Sequence, residues 1–487
     1  MILGVCLLGS LLSGLAYEYY NYTNYKKMVS VVESTEPHID HKRVDHKWME
    51  NFWLNELDKD GLLNWIKKTT SYVNNPTRSN QPELSTSNQP ELSAKPNQPE
   101  LSAELNQPEL STSNQTELSV ESNDKYYKDV SLEDLSRKKM LDWTAYHMYF
   151  KPMMTLEKDE LDNVDRILSM IEKKIDHIFI DDNNINDDNI FFLSFGENKI
   201  ETTYTPAIMY GGLSIIKNIS YTYLKYYGFK KYKTNLSDMV YFYYNNPNCS
   251  KTTIFIHGLG IGITPYMNFI LGLIEHTNLI VLILPNVSNM EYNKTLFPTY
   301  NSLREDVTTI LDLHNIERVN MIGHSFGTII MGILFNEPKL KNRIDKKVFI
   351  DPVCFIDESY KIFRYINEPD CRDGGIVNNV FNMLVYKDIY VRYATQRFLY
   401  GPEFWIFDYE SLNDNNSLVI LCTNDQMVPS QSIYERLKKY NVPCVIVNDA
   451  QHADVFTNTH YMDVLDKVKS YIILYFNNVE KIENISY

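Results

Sequence analysis

The stretch that most constrains this chain is Gly323-His324-Ser325-Phe326-Gly327, a G-x-S-x-G pentapeptide. An apolar run before it, Val319 to Ile322, reads as a short buried strand, and a second run after it, Ile329 to Phe335, reads as a helix. Strand, sharp turn and helix form the setting in which a Ser can be held in a strained backbone conformation at the tip of the turn, a nucleophile elbow. Side chains two residues to either side of that Ser would collide, which accounts for glycine at 323 and 327. The pentapeptide alone fits a glycine-rich turn with a capping Ser equally well, so the surrounding pattern has to choose between the two.

From Asp238 onward the chain alternates short β-rich runs with helical segments, the pattern of βαβ units. Met239 to Tyr244, Thr253 to Ile256, Leu279 to Leu284, the elbow strand, Lys347 to Ile350, Leu418 to Leu421 and Cys444 to Val447 read as strands. Ser302 to Leu313, Tyr434 to Tyr440 and Val464 to Tyr475 read as helices between and after them. This predicts an α/β domain built on a doubly wound, mostly parallel sheet, with its chemistry at the C-terminal strand ends.

At those ends stand His257-Gly258-Leu259-Gly260, the elbow, Asn424-Asp425-Gln426-Met427-Val428-Pro429 and Gln451-His452-Ala453. Over residues 238–478 these segments, in this order, resemble the signatures of the α/β-hydrolase superfamily, whose triad runs Ser, acid, His. The resemblance implies an α/β-hydrolase fold with a helical cap at about 352–416 and a serine hydrolase of the lipase or esterase kind. It implies Ser325 as nucleophile, His452 as its base and Asp425 as the acid that orients the base. Asp351, in Phe349-Ile-Asp-Pro352, is the rival acid, because some members carry it one strand earlier; its plainer reading is a turn-forming Asp-Pro. His460 competes with His452 but falls where the next helix begins. The oxyanion hole is expected from the backbone N–H groups of Leu259 and Phe326, with the rings of His257 and His324 structural. No cofactor and no metal is implied. The cap is rich in aromatic residues, from Phe355 to Phe407, which either face an apolar acyl or lipid-like substrate or simply pack on the sheet. Acyl transfer to an acceptor other than water, and a non-catalytic binding protein on the same fold, are the alternatives.

The first half lies outside the resemblance. Ile2 to Tyr17 is uncharged and mostly apolar, with Lys26-Lys27 after it and no basic residue before it. That order suits an N-terminal membrane anchor, spanning 1–27 with its flank, that leaves the rest of the chain in the cytosol. A cleaved signal peptide with a site near Gly14-Leu15-Ala16, and hence a secreted protein, is the alternative. Residues 28–75 carry Trp48, Met49, Phe52 and Trp53 at helical spacing, which predicts short amphipathic helices. Within 76–125 the hexapeptide Asn-Gln-Pro-Glu-Leu-Ser recurs, with one Leu per repeat, too few for a core, so a disordered tether is expected; a repeated ligand for a partner is the sharper alternative. Residues 126–237 read as a helical extension of the core, opened by a capping box at Ser131–Asp134, with Ile167, Met170, Ile171, Ile175 and Ile178 on one stripe. A long apolar segment, Ile208 to Phe229, is interrupted by Gly211-Gly212, Lys217 and Asn218 and reads as a buried or surface-lying helix rather than a second span.

Composition closes off other classes. A net charge of −15 argues against a general nucleic-acid partner. The six cysteines, Cys6, Cys249, Cys354, Cys371, Cys422 and Cys444, are scattered without metal-ligand spacing and read as free thiols.

Overall fold

The computed structural model describes residues 18–30, 47–72, 130–182, 189–192, 202–288, 297–357, 359–367, 382–406, 408–413, 416–456 and 460–473, with Gly14, Ile185 and Asp187. The apolar run Ile2 to Tyr17, apart from Gly14, and the whole repeat lie outside the described residues. Among the described residues, no helix is long and apolar enough to cross a membrane.

The chain forms two small strands first, β1 (Thr70–Tyr72) and β2 (Ile190–Phe192), which pair antiparallel. The main sheet follows: β3 (Lys230–Lys233), β4 (Val240–Tyr244), β5 (Thr252–Ile256), β6 (Asn278–Ile283), β7 (Val319–His324), β8 (Ile344–Ile350), β9 (Ser417–Cys422) and β10 (Cys444–Val447). Their spatial order is β10-β9-β8-β7-β5-β6-β4-β3. Every pair from β6 to β10 is parallel, whereas β3 and β4 run antiparallel at one edge. From β5 the chain winds first to one side, through β6, then crosses back to β7 on the other. The crevice beyond the ends of β5 and β7 is therefore the switch point where such sheets hold ligands.

Alternation along the strands divides the core. Ile254, Ile280, Leu282, Val419 and Leu421 face one layer, and Phe255, Leu279, Val281, Ile283, Leu418 and Ile420 face the other. A two-residue side-chain period requires this, and both faces are covered, so the central strands read as unbroken apolar runs. Helices are α1 (18–30), α2 (Lys59–Thr69), α3 (Arg137–Tyr149), α4 (Lys158–Ile175), α5 (Ala207–Tyr226), α6 (Met267–Leu273), α7 (Tyr300–Leu313), α8 (Phe326–Phe335), α9 (Ser430–Lys439) and α10 (Tyr461–Ile473). The first layer holds Met49, Phe52, Trp53, Trp65, Trp143 and Ile167 together with α7, α8 and the cap, so the N-terminal helices share one core with the sheet-bearing half. The second layer holds α6, α10 and the inner face of α5.

Several expectations need correction. Met170 and Ile178 are exposed, since α4 ends at Ile175 and buries Ile167, Ile171 and Ile175 instead. The edge strand β3, Lys-Lys-Tyr-Lys, has no apolar alternation to betray it; it forms because β4 offers a free edge. Helix α9 begins at Ser430, before Tyr434, directly after the Asp425 turn. In the cap, Phe355, Tyr393, Phe398, Tyr400, Phe404 and Trp405 are buried, which is the packing reading of that aromatic run. Phe381 and Phe407 fall outside the described residues. The cap is pinned to the elbow helix through Gly332, where an added Cβ would lie 2.0 Å from the Phe404 carbonyl oxygen. A buried Arg304–Glu403 ion pair ties it to α7.

Candidate active site

At the end of β7 the chain turns at Ser325, with φ 49° and ψ −121°, and enters α8 one residue later. Such a conformation is costly for a residue with a Cβ and persists only where its surroundings impose it. The surroundings here are tight. A Cβ on Gly327 would sit 2.3 Å from the Ile256 carbonyl oxygen, and one on Gly323 would meet Met331 Sδ at 2.5 Å and the Gly327 backbone at 3.0 Å. The first turn of α8 is thus pressed against the end of β5, and glycine alone permits it. The Ser325 amide donates to the Ile350 carbonyl at 3.0 Å, which fixes the elbow to β8.

The loop after β9 forms a compact turn around Asp425. Its Oδ1 accepts the amides of Met427 (2.8 Å) and Val428 (2.9 Å), and its Oδ2 lies 2.6 Å from His452 Nδ1. His452, on the loop after β10, has Nε2 2.9 Å from Ser325 Oγ. An ionised carboxylate can only accept, so Nδ1 carries the proton and Nε2 keeps the lone pair facing the Ser hydroxyl. The Asp425 side chain is fully enclosed, whereas that of His452 keeps 24 % of its surface open to solvent. Burial works against the protonated His452 ring, but Asp425 and, more weakly, Asp351 outweigh it and hold its pKa above the ordinary imidazole value. His460 is not brought to Ser325; it opens α10, where its carbonyl accepts the Val464 amide.

The two expected oxyanion donors sit on either side of the Ser. In the loop after β5, the Gly258 amide donates to Tyr266 Oη (3.1 Å) and the Gly260 amide to the Val287 carbonyl (3.1 Å). Between them the Leu259 amide has no acceptor among the described residues, and neither has the Phe326 amide at the first turn of α8. A Cβ on Gly258 would come within 3.1 Å of Ser325 Cβ, so this loop lies directly against the nucleophile.

The remaining polar groups hold these parts still. His257 is buried, with Nε2 accepting the Leu284 amide (3.0 Å) and Nδ1 against the Gly258 carbonyl (2.7 Å); burial lowers its pKa to about 4, so the ring is a neutral brace. His324 Nδ1 is 2.8 Å from Tyr266 Oη. Its Nε2 faces Asp351 at 3.8 Å, beyond hydrogen-bond reach. Asp351, at the end of β8 with φ 42°, accepts the amides of Cys422 (3.1 Å) and Ala453 (3.1 Å) and touches Cys422 Sγ at 3.4 Å. It therefore contacts the His452 loop from below rather than the His452 ring. Ser325, Asp351 and Ala453 all have positive φ, so strain clusters at this one point. Tyr266 and the Asp351–Ala453 contact were not legible beforehand. Nothing in Thr264-Pro-Tyr266 marks its hydroxyl, and the sequence offers Asp351 as a triad acid or as a turn-forming Asp-Pro, neither of which points to the Ala453 amide.

The parts thus stand at successive strand ends of a doubly wound sheet, and a family model described as alpha/beta hydrolase fold matches residues 253–364, across the Leu259 loop, the elbow and β8. This segment has the alpha/beta hydrolase fold. Solved structures of similar shape include carboxylesterase CesB from Bacillus subtilis, at 16 % identity and TM-score 0.41, over 55 % of this chain and 99 % of that one. A carboxylesterase structure from Nitrososphaera gargenis matches at 16 % and 0.39, over 50 % and 98 %. A thermophilic esterase from Thermogutta terrifontis matches at 14 % and 0.38, over 50 % and 99 %. A search of curated proteins by sequence finds no match.

The thiols of Cys249, Cys354, Cys422 and Cys444 are free, with Cys354 and Cys422 buried; Cys6 and Cys371 lie outside the described residues.

Proposed function

We propose that the protein cleaves carboxylic esters, with Ser325 as nucleophile, His452 as general base and Asp425 as the residue that orients and charges the base. The observation that carries this is the single imidazole of His452 bridging Ser325 Oγ at 2.9 Å and Asp425 Oδ2 at 2.6 Å. Ser325 Oγ attacks the ester carbonyl carbon while His452 Nε2 takes the hydroxyl proton. The carbonyl oxygen becomes an oxyanion facing the Leu259 and Phe326 amides, each such donor supplying about 3 kcal/mol to the transition state. The C–O bond to the alcohol breaks as His452 returns its proton to the leaving oxygen. Water, deprotonated by the same ring, then releases the acid from Ser325.

An apolar acyl group suits the surroundings of the nucleophile. The Phe326 ring, one residue after Ser325, meets Phe297 at 5.9 Å between centroids, and Phe297 meets Phe398 of the cap at 4.3 Å, so the packing behind the elbow is apolar. The N-terminal anchor belongs to the same proposal. Ile2 to Tyr17, with Lys26-Lys27 after it, would hold the enzyme at a membrane with its catalytic half on the cytosolic side.

A fluorophosphonate probe followed by an ester and lipid panel tests the activity. The wild-type chain is expected to be labelled and to turn over; Ser325→Ala is expected to escape labelling and to lose about 10⁶ in kcat. A folded wild-type protein that resists the probe would instead favour the non-catalytic binding reading.

A further inference from the structure

Helix α5 is inside out for a soluble protein. Its inner face buries Leu213, Ser220, Tyr221 and Leu224 against the sheet. Its outer face leaves Ile208 81 %, Ile215 63 %, Ile219 64 % and Tyr226 82 % exposed. At 100° per residue these four side chains fall within about 40° of arc, a single stripe along a helix about 30 Å long. Gly212 borders the stripe on one side and the small Thr222 on the other. An aligned row of exposed isoleucines is unlike the singly scattered apolar residues of an ordinary surface.

Two further observations say what covers it. The first is charge. From Ala207 to Lys233 the chain has five lysines and no acidic residue, although the protein as a whole carries −15. Lys225 projects from the flank of the stripe, and Lys230 and Lys231 stand exposed on β3 just beyond its end. The second is where the apolar N-terminus emerges. Glu18 accepts the Ala207 amide with both carboxylate oxygens at 3.1 Å, capping the start of α5, and also receives the Tyr204 hydroxyl. Tyr25 Oη bonds Thr202 Oγ1 at 2.8 Å and Tyr22 packs edge-on to Tyr204 at 5.1 Å. Glu18, which directly follows the sixteen uncharged residues Ile2–Tyr17 in sequence, therefore stands at one end of the stripe.

We propose that the outer face of α5 docks on the surface of a phospholipid bilayer bearing anionic headgroups. The isoleucine stripe enters the boundary between headgroups and acyl chains, and the lysines reach the phosphates at its edge. Covering of the stripe by the chain's own Ile2–Tyr17 is less apt, because a segment apolar all round would present an equal apolar surface outward. The docked orientation is not neutral to the site. Ser220 Oγ contacts Thr264 Oγ1 at 2.9 Å, one turn from Tyr266, which braces Gly258 and His324, and Tyr210 hydrogen-bonds Asp388, the N-cap of the cap helix Ile389–Tyr393. Helix α5 thus bridges the oxyanion loop and the cap, and a bilayer on its outer face borders both.

The test reads binding and does not depend on the ester chemistry. Hydrogen exchange of the full chain is measured with phosphatidylcholine vesicles, with and without phosphatidylserine. The α5 amides are expected to slow about tenfold on the mixed vesicles and less on phosphatidylcholine alone. Ile215→Glu/Ile219→Glu, both solvent-facing changes, is expected to abolish the slowing while exchange in β5–β8 stays as in the wild type. The proposal is overturned if the protein binds vesicles with α5 exchange unchanged, since Ile2–Tyr17 alone would then hold it. It is equally overturned if the two vesicle types act alike. Slowing that grows with protein concentration in the absence of lipid would assign the face to a second copy, and α5 amides already slow in the free protein and indifferent to lipid would assign it to the chain's own N-terminus.

Discussion

Two His–Asp pairs stand side by side at the strand ends, with ring centroids of His452 and His324 5.1 Å apart, and they behave oppositely. His452 bonds Asp425 at 2.6 Å and keeps an open edge, and its pKa is raised. His324 is buried, faces Asp351 at 3.8 Å, and its pKa is lowered, because burial outweighs a carboxylate that does not reach it. Both pairs are made of the same residue types. About one ångström of separation and one open ring edge suit the first to the proton transfer proposed for it and the second to bracing. The deeper pair still serves the outer one, since Asp351 holds the Ala453 amide next to His452.

The comparison breaks most sharply on the histidines. His452→Ala is expected to lower kcat about 10⁶-fold, as removing one member of a unit does, while His324→Gln costs far less. Steady-state kinetics on folded variants decides, and equal losses would mean both rings handle protons. The acids come next. Asp425→Asn is expected to cost about 10⁴ in kcat by presenting the wrong tautomer of His452 to Ser325. Asp351→Asn should retain far more activity, and the reverse order would move the triad acid to the end of β8.

Asp351→Asn should register instead in stability. Its carboxylate accepts the buried Cys422 amide and the half-buried Ala453 amide, and an Asn amide group would set a donor against one of them, for a loss of about 1–3 kcal/mol in denaturant unfolding. Burial alone would raise the Asp351 pKa, yet His324, His452 and the Ala453 amide bring it below the ordinary value. Its contribution is therefore present above about pH 4 and lost as the pH falls through the depressed value, a dependence the Asn variant lacks.

The smallest effect is a shift of a titration. His452 must be neutral to accept the Ser325 proton, so kcat/KM should rise with pH through a value above the ordinary 6.5 of imidazole. Removing the Asp425 charge lowers that value, and the acid limb of Asp425→Asn should move to lower pH. A limb that stays put would show that Asp425 does not set the charge of His452.

Much of this was legible because it is local. A sharp turn flanked by two glycines, an apolar strand before it and an apolar helix after it leave few choices for Ser325. The unbroken apolar runs of β5, β6 and β9 announce a sheet covered on both faces. Even the order Ser325, Asp425, His452 is a property of the chain. The tertiary structure decided what depends on distance across strands. Asp425 and Asp351 each follow a strand, and sequence alone cannot say which carboxylate reaches His452, because that turns on how the loops after β8, β9 and β10 fold over one another. The Lys-Lys-Tyr-Lys strand formed only because β4 left an edge unpaired. The face of α5 that meets the sheet was equally hidden, since apolar residues lie on both sides of that helix. Packing against the sheet chose Leu213 and Leu224 and left the isoleucine stripe outside.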